Sequence, residues 1–287
     1  MPTELESRPA DVSTLARGDH ACWSYSSDEE HAEVLRAFLV AGLREDERVL
    51  YVGDESEVRA MLSDLAAVAD TGTLLRDGKL VVGDVDDAYL PDGVFDPAAC
   101  VEGFRDVALQ AVDDGYAGVR VAGENTSILN RPGMLQLWYD YEIRVELLTA
   151  SMPILGLCCF DRRHSDDPVL AILDSVHRVA IGTASVLGFT VHGRADGRLS
   201  LAGEVDAFTV PQLKQVLSGA ARDVDDLVID VAGLEFIDSS GLRLLDRLAH
   251  GRIPRQGPIT VVGATSHLRG IWQLLRPDHA SAVVLQA

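Results

Sequence analysis

Between His31 and Leu43 the apolar residues Val34, Leu35, Phe38, Leu39 and Leu43 recur at three- and four-residue intervals, the period of a helix face. The preceding "SSDEE" supplies capping oxygens and first-turn acids, so the spacing predicts a helix that ends near Gly42–Leu43. "RVLYVG" then runs apolar for the length of a strand, and "ESEVRAMLSDL" returns to helical spacing. "KLVVGD", "GVRVAGE" and "MPILGLCCF" are further short β-rich runs, separated by the helical stretches "AACVEGFRDVALQAVDDG" and "MLQLWYDYEIRVELL". Strands that alternate with helices predict a parallel sheet covered on both faces.

The pattern restarts after "LAILDSVHRVAIGTASVLG". "FTVHGRADGRLSLAGEVD" alternates around an Ala-Asp-Gly turn and reads as a hairpin. A helix with Pro211 in its first turn, the strand "DLVIDVAGL", the helix "SSGLRLLDRLAHG", the strand "PITVVGA" and a last helix "SHLRGIWQLL" follow. The expected organisation is a loose N-terminus over 1–13, an α/β domain over 14–182 and a smaller α/β domain over 188–287. No Pro/Ser-rich linker marks the join near 183–188, so the two domains are expected to pack closely.

The charge is unevenly distributed. Residues 188–287 carry 10 basic and 11 acidic side chains, whereas residues 1–187 carry 15 and 34, so the formal net charge of -20 belongs almost wholly to the first domain. Such acidity excludes direct binding to DNA, which needs a basic face to displace counterions from phosphates. The longest uncharged run near the middle, 147–160, is too short for a membrane span, and the N-terminus has no signal-peptide pattern. A cytoplasmic location is therefore expected. The 4 cysteines are too few for a disulfide framework in a chain of 287 residues.

"LEFIDSSGLRLL", residues 234–245, interrupts an apolar run with an acid, two serines and a glycine. Ser and Asp favour helix N-caps, which gives one reading of the interruption. With "LAGEVDAFTVPQL" before it and "ITVVGATSHLRGIWQL" after it, the stretch resembles the STAS domain of bacterial anti-sigma factor antagonists, over Phe189 to Ala287. The family's Gly-Glu-hydrophobic-Asp element falls on Gly203, Glu204, Val205 and Asp206, and its Asp-Ser-Ser-Gly element on Asp238, Ser239, Ser240 and Gly241. Arg243 stands where many relatives carry a second glycine. The resemblance implies that Ser239 is phosphorylated by an anti-sigma factor with serine kinase activity, that a serine phosphatase reverses this, and that Glu204, Asp206, Asp238, Ser239, Ser240 and Gly241 contact the partner. Ser240 is then expected to serve as the cap. A phosphate adds about -1.5 to -2 charges and weakens the contact without unfolding the domain.

"DHACWSYSSDEEHAEVLRAFLVAGLREDERVLYVGDESEVRAML", with the later "GYAGVRVAGENTS", "YDYEIRVELL" and "MPILGLCCFDRRH", resembles the MEDS sensory domain of methanogen and methylotroph regulators. Asn125–Ser127 replace the tryptophan usual after its "GE" strand. The layout is also RecA-like, but "YSSDEEH" stands where a phosphate loop needs glycines and a lysine, so ATP hydrolysis is not expected. His20, Cys22 and Tyr25 are candidate ligand residues for a small molecule. His20, Cys22, Cys158, Cys159 and His164 have the residue types of a zinc site, but 158 and 159 point to opposite faces of a strand, so no metal site is assigned. Trp23 and Trp138 read as anchors within the fold.

Together these readings predict a two-domain α/β protein, a RecA-like parallel-sheet sensor without a phosphate loop followed by a STAS domain. Its expected role is anti-sigma factor antagonist rather than enzyme, without a cofactor, with a homodimer left open. The alternative is a small-molecule or metal-binding sensor whose STAS domain serves only for oligomerisation or interaction.

Overall fold

A computed structural model of the chain describes residues 11–181, 186–252, 256–275 and 283–286. Residues 1–10 of the N-terminus read as loose, and 182–185 at the interdomain join, lie outside the described residues. From Val12 to Thr14 the chain already forms a 3-10 turn, capped by Asp11.

The first domain runs β1 (His20–Tyr25), α1 (Asp28–Arg44), β2 (Arg48–Gly53), α2 (Glu55–Leu65), α3 (Thr71–Arg76), β3 (Leu80–Asp84), α4 (Val85–Tyr89), α5 (Pro97–Asp113), β4 (Val119–Glu124), α6 (Thr126–Leu129), α7 (Met134–Ser151), β5 (Ile154–Asp161), α8 (Asp167–Val176) and β6 (Val179–Ile181). All six strands are parallel, in the order β3-β2-β4-β5-β1-β6. The first strand thus lies inside the sheet, between β5 and β6, as the RecA-like layout requires. Its expected helix begins with Ser27 as N-cap, accepting from the Glu30 N–H, and runs to Arg44, one turn-residue beyond the predicted end.

Successive side chains of a strand alternate between the two faces. Ala21, Trp23, Tyr25 and Cys159 therefore join α1 and α2 in one core, while Cys22 and Cys158 join α5, α7 and α8 on the opposite face. Helix α7 is buried on almost every side, including the polar Asp140, Glu142 and Glu146, because a second domain covers its outer surface.

That second domain comprises β7 (Phe189–Gly193), β8 (Leu199–Val205), α9 (Val210–Asp223), β9 (Val228–Asp230), β10 (Leu234–Ile237), α10 (Ser239–His250), β11 (Ile259–Val262), α11 (Ser266–Leu274) and β12 (Val283–Leu285). The expected hairpin forms as β7 antiparallel to β8, and the other strand pairs are parallel. Close packing of the domains is visible in polar contacts as well as apolar ones. Arg222 bonds Asp140 at 2.6 Å, and the Gln136 side chain donates to the Gln215 carbonyl at 2.9 Å. At Gly219 an added Cβ would sit 2.0 Å from the Asp140 side chain, and at Gly193 it would sit 2.5 Å from the Glu146 backbone. These glycines let α9 and β7 approach α7. Among the described residues no helix is long and apolar enough to cross a membrane.

Candidate functional site

In the second domain the apolar β10 ends at Ile237, and α10 begins immediately at Ser239. The single residue between them, Asp238, is the N-cap: its Oδ1 accepts from the Ser240 N–H at 2.7 Å and the Gly241 N–H at 3.1 Å. Its Oδ2 accepts from the Ala207 N–H at 3.1 Å and so fixes the loop after β8. The structure corrects the expectation that Ser240 is the cap. A cap oxygen must lie one residue before the first helical residue, and that residue is Asp238. Ser240 enters the arrangement with its backbone N–H.

Ser239 is exposed in the first helical position, whereas Ser240 is half-buried and Gly241 is buried. Gly241 has no room for a side chain, since a Cβ there would meet Ile237 and Val205 at under 3 Å. Asp206 caps the turn ahead of α9, accepting from the N–H groups of Phe208 and Thr209, and these bonds hold its carboxyl below the usual range. Glu204 is exposed. Sequence reasoning missed two exposed aromatics: Phe208 and Phe236 are 86% and 52% exposed, too much for core aromatics, and lie next to Ala207, which bonds Asp238, and on β10, which leads into Asp238. An exposed hydroxyl next to Asp238, on a domain that also carries bare aromatic side chains, is accessible to an enzyme and offers a partner both charge and apolar area.

In the first domain the structure does not bring His20, Cys22 and Tyr25 together. His20 and Cys22 face α7 and α8, and Tyr25, three residues beyond Cys22, points to the opposite face of the sheet. There Tyr25 stands over His31, with ring centroids 4.4 Å apart, and its hydroxyl lies 3.4 Å from Glu124. His31 in turn contacts Glu124 at 2.5 Å. Burial opposes a charge on His31, but the hydrogen bond and charge of Glu124 outweigh it and hold the ring above its ordinary value. Burial pushes nearby Glu57 up to about 7. Tyr25, His31, Glu57, Asp161 and Arg163 line a cavity of about 480 Å³ at the C-terminal ends of the strands, the usual ligand position in a parallel α/β sheet. Only Ser26 and Ser27 join β1 to α1, too few to wrap a triphosphate, and the first turn carries Asp28, Glu29 and Glu30. A second, mainly apolar cavity of about 610 Å³ lies between Leu50, Val52, Cys100, Phe104 and Val107.

On the other face, His20 meets three groups of the notional zinc pattern's kind, of which only Cys158 was among the residues singled out. Cys158 pairs with Cys22 across the strands, Cys159 faces away, and His164 is a surface residue bonded to Asp161. The two partners not foreseen are Glu142 and His177. Glu142 alone carried a signal, in "YDYEIRVELL", where it and Glu146 stand four apart among Tyr141, Ile143, Val145 and Leu147, although nothing there marked it as a partner of His20. Burial holds the His20 ring well below its ordinary value and pushes the Cys158 thiol well up, so both are neutral.

A comparison with curated proteins gives no match. Residues 189–286 match the family profile described as "Mlab, STAS domain". Residues 19–178 match the profile described as "MEDS: MEthanogen/methylotroph, DcmR Sensory domain", more than half of the chain. With its parallel six-stranded sheet and the STAS domain packed against α7, the chain belongs to the MEDS sensory-domain family.

Proposed function

We propose that the protein is an anti-sigma factor antagonist: its STAS domain binds an anti-sigma factor kinase while Ser239 is unphosphorylated, and the MEDS domain regulates that binding. The observation that carries this reading is the exposed Ser239 in the first turn of α10, next to Asp238, on a domain that also carries the bare rings of Phe208 and Phe236. Asp238 already occupies the Ser240 and Gly241 amides. A phosphate on Ser239 is therefore not absorbed by the helix end and projects its charge toward the partner. The chain acts as a kinase substrate and not as an enzyme, a serine phosphatase resets it, and the exchange takes place in the cytoplasm.

The test is incubation of the full chain with the cognate anti-sigma factor and ATP, followed by peptide mapping and binding isotherms. Phosphate is expected on Ser239, with affinity falling on the order of a hundredfold, equivalent to about 3 kcal/mol. Ser239→Ala retains binding and resists modification. Phosphate on Ser240 alone, or equal affinity of the two forms, refutes the reading.

A further inference from the structure

We propose that His20, Glu142, Cys158 and His177 form a tetrahedral site for a divalent transition-metal ion of the zinc class, buried between the sensor sheet and α7. One ligand atom from each lies within 4.8 Å of the others. His20 Nε2 is 3.3 Å from Cys158 Sγ and 3.4 Å from Glu142 Oε2, His177 Nε2 is 3.4 Å from the same Oε2, and Cys158 Sγ is 3.8 Å from it. A tetrahedral zinc ion with bonds of about 2.0–2.3 Å has ligand-to-ligand edges of roughly 3.3–3.6 Å. Four of the six edges stand at nearly those separations, and the other two lie within 4.8 Å.

The surroundings match as well. His177 Nδ1 donates to the Leu173 carbonyl at 2.7 Å, which turns Nε2 into the cluster, where no hydrogen bond reaches it although the residue is fully buried. Trp138 Nε1 donates to Glu142 Oε1 at 2.7 Å and leaves Oε2 facing inward. Gly156 gives the His20 ring its place, since a Cβ there would lie 3.0 Å from Cδ2. His20 Nδ1 is buried without a hydrogen bond and lies 3.3 Å from Glu146 Oε1, within reach of the carboxylate-to-histidine pairing that orients metal-binding imidazoles once a metal holds Nε2. Glu146 is itself held by the N–H groups of Arg178, at 2.9 Å, and of Gly193 in the STAS domain, at 3.1 Å.

The charge balance closes. A divalent ion displaces the thiol proton of Cys158, and the resulting thiolate with the Glu142 carboxylate neutralises its two charges, so the buried centre carries no net charge. Glu146 acts as a positioning residue, and its bond to Gly193 makes the His20 orientation depend on the docked STAS domain.

The test uses the full chain, stripped with a chelator and titrated with cobalt(II). One cobalt per chain is expected, with the visible bands of a tetrahedral site and a near-ultraviolet thiolate-to-cobalt band, and zinc displaces it. Cys158→Ser abolishes the thiolate band and Cys159→Ser, on the other face, keeps it. His177→Ala weakens binding by about a hundredfold or more, and serves as the second variant should Cys158→Ser fail to fold by circular dichroism. Glu146→Gln keeps the band and weakens affinity about 10–100-fold. Absence of cobalt bands in folded wild-type chain, or loss of the thiolate band in Cys159→Ser but not in Cys158→Ser, overturns the site. These readouts do not involve Ser239, so they stand or fall apart from partner binding.

Discussion

Replacing Asp238 with alanine removes one side chain that accepts three backbone N–H groups, from Ser240, Gly241 and Ala207. Loss of an N-cap costs about 0.5–2 kcal/mol, and the third bond adds roughly 1 kcal/mol, so about 2 kcal/mol is expected in all. Since 1.4 kcal/mol is a factor of about ten, local opening at the start of α10 becomes roughly 30-fold more frequent. Amide hydrogen exchange reads this directly at Ser240, Gly241 and Ala207. Asp238→Asn should restore most of the protection because asparagine caps nearly as well. Ser240→Ala should change stability by less than about 0.5 kcal/mol, since its hydroxyl is not the cap. The reasoning fails if Ser240→Ala accelerates exchange more than Asp238→Ala, or if Asp238→Ala leaves the three amides unchanged.

Gly193→Ala places a Cβ 2.5 Å from the Glu146 carbonyl group, a clash with backbone that side-chain rotation cannot relieve. It should separate β7 from α7, seen as a larger radius in X-ray scattering and faster exchange at the Gln136 and Glu146 contacts; an unchanged radius and exchange pattern would contradict it. The His31–Glu124 contact has a defined pH dependence. Because the folded ring is held above its ordinary value, its stabilisation is present below about pH 6.5 and is lost as pH rises through the folded value. Glu57, pushed up to about 7, changes stability in the same direction, because the folded state also holds its proton more tightly. Thermal stability should fall between about pH 6 and 8, and His31→Gln should flatten the slope; a rise over that range would refute the assignment.

The alternation of strand and helix was legible because each long element carries its own period, as "HAEVLRAFLVAGL" does. Among the elements that periodicity missed, β6 and β12 have 3 residues each, too few for any period, and they pair with the edges of β1 and β11, whereas α8 (Asp167–Val176) is buried from Leu170 to Val176 and so shows no polar face to mark its period. The strand-to-helix turn before Ser239 was legible from its motif, yet the cap was assigned two positions late, at Ser240 instead of Asp238, because the exact start of a helix depends on backbone torsions that a Ser-Ser pair does not reveal. The pairing of Tyr25 with His20 failed on the two-residue alternation of β1, which sends residues 20 and 25 to opposite faces just as that of β5 separates Cys158 from Cys159. Glu142 and His177 were invisible as partners of His20 because strand order, not sequence distance, brings them together.

Helix α7 lies in the middle of one apolar core that runs from Val119 and Ile154 in the sensor sheet to Leu213 and Leu217 in the STAS domain. Domains joined by such a core share their fate on heating: neither can melt without baring the helix that supports the other. A calorimetric trace of the intact chain should thus show one transition in which both halves take part. A fragment ending before β7 should expose the outer face of α7 to water and aggregate, so the MEDS domain is expected to stay in solution only while the STAS domain covers that helix.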